Sequence, residues 1–76
     1  MKIPQNVAGR VVYVSLFDLV REYAYAIRWD YDDLDDFTSA VIEYAVEWAG
    51  ETHRREAETT ARKCARWTWE HFTKPR

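Results

Sequence analysis

Five aspartates fall within residues 30–37, DYDDLDDF, a density that could hold a divalent cation, open a helix or face a basic partner. A calcium loop of the EF-hand type needs oxygen ligands at positions 1, 3 and 5, a glycine at 6 and a glutamate at 12. Counted from Asp30, position 5 is Leu34 and position 6 is Asp35, and the other registers fail too, so no metal site is expected. Asp30, Asp32 and Asp33 suit the mouth of a helix instead, where the positive end of the backbone dipole favours anions by about 0.3–1 kcal/mol each. That role leaves Asp36, Glu43 and Glu47 unexplained. Their spacing carries the charge along the solvent face of the same helix, opposite Val41 and Trp48.

His53, Cys64 and His71 are the other residues whose types suggest a metal or a nucleophile. Cys64 and His71 are seven residues apart, about 10 Å along a helix axis, whereas zinc ligands lie within about 2.0–2.3 Å of one ion. A Cys–His pair would also need an oxyanion site, and the chain has no glycine-rich loop to build one. Cys64, between Ala61 and Ala65 at helical spacing, reads as a small core residue. No catalytic residue, no cofactor and no metal are expected, and the role that remains is binding.

Three helices must position these residues. The first is expected over residues 15–29, with Leu16, Leu19, Val20, Tyr23 and Ile27 on one face and Ser15 as its N-cap. Residues 11–14, VVYV, would join a helix begun nearer Gly9 or form a short strand. The second helix is expected over residues 32–49, with Leu34, Phe37, Val41, Tyr44, Ala45 and Trp48 in line, and Gly50 as a left-handed residue that ends it. The third is expected over residues 52–73, with Ala57, Ala61, Cys64, Ala65, Thr68 and Phe72 on one face and Pro75 as its stop. Carried across Gly50 at about 100° per residue, the apolar seam jumps by roughly half a turn. One rod would bury both faces only against other chains, whereas a reversal at Gly50 lets them meet. The expected fold is therefore all-α: one domain over residues 1–76, a small three-helix bundle with room for a short extended segment ahead of the first helix.

Charge is segregated along the chain. Residues 1–29 carry four bases against two acids, residues 30–51 carry eight acids and no base, and residues 52–76 carry seven bases against three acids. A net charge of −2 conceals these blocks, which bear on partners more than the sum does. The third helix puts Arg55, Arg62 and Arg66 on an outer stripe with Lys63 beside them, a pattern that could contact phosphates. In an antiparallel bundle, however, its basic end lies near residues 30–36 and the two fields offset each other. Aromatics are in excess: four Trp, five Tyr and three Phe in 76 residues. Trp67 and Trp69 are about 200° apart on a helix, so one of them is displaced from the core, and Tyr25 and Trp29 fall opposite the apolar stripe of the first helix. Tryptophan, tyrosine and arginine are the residues that carry interface energy. A homodimer and a foreign partner explain the excess equally well.

The single cysteine excludes an internal disulfide and fits a reducing compartment. The start, MKIPQNVAGR, has no apolar core of a signal peptide, and no apolar run approaches the roughly 20 residues that span a bilayer. The cytoplasm is the expected location.

In length, in the lack of catalytic residues and in blocky acidity, the chain resembles the small inhibitors that phages encode against host machinery, anti-CRISPR proteins among them. The resemblance is one of kind and covers no defined residue pattern, so it carries over no family site. It implies an inhibitor that occupies a surface. The expected partner is a protein with a basic surface, possessed of a nucleic-acid-handling role, met by Asp32, Asp33, Asp36, Glu43 and Glu47, with Tyr25, Trp29 and Trp67 as anchors. The alternative is a dimeric regulator that binds DNA or RNA through Arg55, Arg62, Lys63 and Arg66.

Overall fold

A computed structural model of the chain describes residues 1–72. It opens not with helix but with a β-hairpin, β1 (Lys2–Val7) and β2 (Arg10–Ser15), followed by helices α1 (Leu16–Ile27), α2 (Leu34–Ala49) and α3 (Arg54–His71). Short 3-10 turns, Arg28–Asp30 and Glu51–His53, leave α1 and enter α3. The all-α expectation is thus corrected: the fold is mostly helical, with an antiparallel two-stranded sheet at its N-terminus. The residues of VVYV are β-branched or aromatic, with side chains that pack well on a pleated strand, and they pair with β1 from Val7↔Arg10 to Lys2↔Ser15. Ala8 (φ 52°) and Gly9 (φ 80°) make the turn, both at positive φ, as a tight two-residue hairpin requires.

Ser15 ends β2 and caps α1 at once. Its backbone is extended (φ −71°, ψ 147°) and its hydroxyl oxygen accepts the Asp18 N–H at 3.1 Å. The Leu16 N–H donates to the Met1 carbonyl at 2.9 Å, which ties the chain start to the same point. Asp33 caps α2, accepting from the backbone N–H groups of Asp35 (2.7 Å) and Asp36 (3.4 Å). Gly50 ends α2 as expected, but at φ 83° and ψ 162° it lies outside the left-handed helical region, in a conformation open almost only to glycine.

The chain reverses at Gly50. Phe37, early in α2, has its ring centre 5.7 Å from that of Trp69, late in α3, so the two helices run antiparallel. Phe37, Val20 and Val41 are the largest apolar side chains fully enclosed, and α3 meets them with Ala57, Ala61, Cys64 and Ala65. The small residues of α3 let its backbone come close, as the seam predicted. Ile3 reaches into this core from β1 and couples the hairpin to the bundle. Phe72 departs from expectation: α3 ends at His71, and Phe72 is extended (φ −113°, ψ 100°) and exposed rather than on the core face. The expected end of this helix at Thr73 and its stop at Pro75 lie outside the described residues.

Candidate functional site

Asp36, Glu43 and Glu47 sit seven and then four residues apart on α2, so they share one face of the helix over about 16 Å. All three are exposed. No Lys or Arg occurs in α2, and among the described residues none of the six ion pairs engages these carboxylates. Their neighbours are aromatic. Glu47 lines a shallow hollow with Tyr44 and Trp48, and Trp48 is 40% exposed although it stands on the apolar seam in the sequence. Tyr23 of α1 stacks on Tyr44 with ring centres 3.9 Å apart and planes 1° from parallel. The Tyr23 phenol is pushed above its ordinary pKa by burial first, then by Tyr31 and Tyr44 and by the negative charges of Glu43 and Glu47. Glu43 and Glu47 therefore lie near Tyr23 of α1, beside the aromatic stack.

The remaining residues expected at this surface lie elsewhere or have other work. Asp33 is engaged as the α2 cap, and Asp32 is exposed just ahead of it. Tyr25 and Trp67 do come together, with ring centres 6.2 Å apart, but in the groove between α1 and α3. Phe72 closes on them at 4.7 Å from Tyr25 and 5.9 Å from Trp67. With Phe17, Arg21 and Cys64 they line a hollow of about 230 Å³. Of the two late tryptophans, Trp69 is half-buried against Phe37 and Trp67 is the exposed one, at 46%. Trp29 occupies a third place, its ring 5.0 Å from the guanidinium of Arg28. The structure thus separates the acid stripe from Tyr25, Trp29 and Trp67, and the aromatics beside Glu47 are Tyr44 and Trp48.

Arg55, Arg62, Lys63 and Arg66 are all exposed on α3. Arg62 and Arg66 share a hollow with Leu34, Asp35 and Thr38, which brings the basic end of α3 beside the start of α2 as the antiparallel arrangement requires. Arg66 is held by Glu70 at 3.0 Å, and the neighbouring Arg54 by Glu51 (2.9 Å) and Glu58 (3.3 Å). Within the basic stripe Arg66 is thus held by a carboxylate of its own helix, whereas among the described residues no ion pair engages Asp36, Glu43 or Glu47.

Cys64 is 2% exposed, with Sγ 3.8 Å from the Phe17 carbonyl oxygen, and burial pushes its thiol up to about 11. His71 stacks on Trp67 at 4.3 Å, and its Nδ1 lies 2.9 Å from the Trp67 carbonyl oxygen. Among the described residues no three His, Cys, Asp or Glu side chains converge as metal ligands would. No helix among them is long and apolar enough to cross a membrane. Comparison with protein families, with curated proteins and with solved structures finds no match to this chain.

Proposed function

We propose that this chain is a non-enzymatic binding protein whose α2 acid stripe docks on the basic surface of a partner that handles nucleic acid. Such a partner would be blocked by occupation of its surface, the mode of action implied by the likeness in kind to anti-CRISPR proteins. One observation carries the reading: Asp36, Glu43 and Glu47 are exposed in line with no base on their helix and no ion-pair partner among the described residues.

Charge alone would not hold such a complex. Duplex DNA carries one charge per about 1.7 Å of axis, hence about ten over the length on which α2 presents three. The stripe is a steering element, and Tyr44 and Trp48 beside it supply the apolar contact that slows dissociation. At about 0.15 M salt the Debye length is about 8 Å, so the encounter weakens as salt rises.

The test is affinity capture at low and high salt, with nuclease treatment, using the parent and two triple variants. The reading expects a protein partner that survives nuclease, is lost at high salt and is lost with Asp36→Asn, Glu43→Gln and Glu47→Gln together. Retention of nucleic acid that depends on Arg55, Arg62 and Arg66, and is indifferent to the acidic triple, would establish the basic-helix alternative instead.

A further inference from the structure

Val11 and Tyr13, each 64% exposed, lie on a strand whose outer edge pairs with no other strand among the described residues. In a hairpin closed by a two-residue turn, the closing pair is hydrogen-bonded and the pairs alternate from there. The register therefore directs the backbone groups of Val12 and Val14 inward to β1, and those of Val11 and Tyr13 outward. Among the described residues, no backbone hydrogen bond outside the hairpin and helices uses Val11 or Tyr13. The two edges of the hairpin differ. On β1 the outward position opposite Tyr13 is Pro4, which has no N–H to offer and blunts that edge. On β2 nothing blunts it: between Arg10 and Ser15 there is no charge, no proline and no bulge.

We infer that β2 pairs antiparallel with β2 of a second copy of this chain, across a two-fold axis at Val12, to make a four-stranded sheet. In that register Val12 faces Val12 of the second copy as a non-hydrogen-bonded pair. Val11 then faces Tyr13 on either side, and each of these two pairs exchanges two backbone hydrogen bonds. The three central pairings across the axis are β-branched or aromatic, the combination that stabilises antiparallel sheets. A second copy as the occupant must keep like charges apart, because the hairpin carries Lys2 and Arg10 and no acid. Self-pairing sends the two Arg10 side chains to opposite ends. Each Arg10 comes opposite Val14, four residues ahead of Asp18 in the first turn of α1 of the second copy, an exposed carboxylate that Arg21 holds at 3.5 Å. The inference is independent of the acid stripe, which lies on α2.

Sedimentation of the whole chain over a concentration series, with amide exchange followed residue by residue, tests the pairing. The expected result is a species of twice 9.1 kDa in which the Val11 and Tyr13 amides gain protection as concentration rises. Val12→Lys places two ammonium groups face to face and should weaken the dimer on the order of tenfold or more. A second measurement does not depend on how that variant folds. Paired Val12 positions have Cα atoms about 4.5 Å apart, within the span of a disulfide, so Val12→Cys should cross-link on oxidation and Val11→Cys should not. A chain that remains monomeric at millimolar concentration overturns the inference. So does a dimer in which Val11 and Tyr13 exchange freely, or a strand from another protein as the only occupant of this edge.

Discussion

The guanidinium carbon of Arg28 lies 3.8 Å from the centre of the Trp69 ring, joining the end of α1 to the end of α3. Arg28 is 9% exposed, also faces Trp29 and Phe37 at 5.0 and 5.9 Å, and among the described residues has no carboxylate partner. Its Nη1 donates to the Tyr31 carbonyl at 3.4 Å, while Nε finds no acceptor. The charge is thus held by aromatic faces, which attract a desolvated cation by about 2 kcal/mol or more. Arg28→Ala should lower unfolding stability by about 2–4 kcal/mol, through a cavity and the lost stacking. Arg28→Lys should cost about 1–2 kcal/mol because an ammonium lacks the planar surface. Arg28→Met should lie within about 1 kcal/mol of the parent, since an apolar side chain avoids the buried charge. Denaturant titration measures all three, and a lysine variant as stable as the parent would remove stacking as the cause.

The hairpin turn holds a residue ill suited to it. Ala8 sits at φ 52°, where a side chain with Cβ costs about 1–2 kcal/mol and asparagine is better tolerated. Ala8→Asn should raise stability by about 0.5–1 kcal/mol, and Ile3 in the core transmits the gain to the whole fold. Thermal unfolding should shift upward by roughly 2–8 °C. A shift downward would show that the turn is built otherwise.

Gly50 is required for its backbone and not for space, because a Cβ built there meets nothing within 4 Å. Gly50→Ala should therefore cost about 1–3 kcal/mol from φ 83° alone. Circular dichroism should retain the helical signal while the melting temperature falls. An unchanged melting temperature would mean that the turn relaxes without penalty.

Burial raises the Cys64 thiol to about 11, above its ordinary value of 9.0, so the folded state keeps a proton that the unfolded state releases first. The stabilising contribution is complete below pH 9 and is lost as pH rises toward about 11. Unfolding stability of the parent should fall faster across that window than that of Cys64→Ala. The thiol should also resist alkylation in the folded chain at pH 8, and rapid labelling there would contradict its burial.

The helices were legible because each carries its own signals: Ser15 and Asp33 as caps, Gly50 as a stop, and an apolar phase that flips at Gly50. The acid stripe was legible for the same reason, since residues seven and four apart share a face whatever the tertiary fold. The hairpin was not. β1 carries Pro4 and mostly polar neighbours, and its turn is Ala-Gly where Asn-Gly would have announced it. Nor could spacing say which groove each aromatic enters. Tyr25 and Trp67 meet through the α1–α3 packing, and Trp48, on the apolar seam in the sequence, lines a hollow with Glu47 and Tyr44. Arg28 gave no signal, because arginine at a helix end reads as a surface residue until aromatic faces close over it.

The central claim is that the acid stripe of α2 steers the chain onto a basic protein surface. It is tested most directly by the association rate of the captured partner, measured against ionic strength for the parent and for Asp36→Asn, Glu43→Gln and Glu47→Gln combined. The account predicts a parent rate that falls steeply with salt, and a variant rate about tenfold or more lower at low salt and nearly flat. Dissociation should change less, because Tyr44 and Trp48 remain. A variant that associates as fast as the parent, with the same salt dependence, would contradict the claim and leave the carboxylates of α2 with no part in binding.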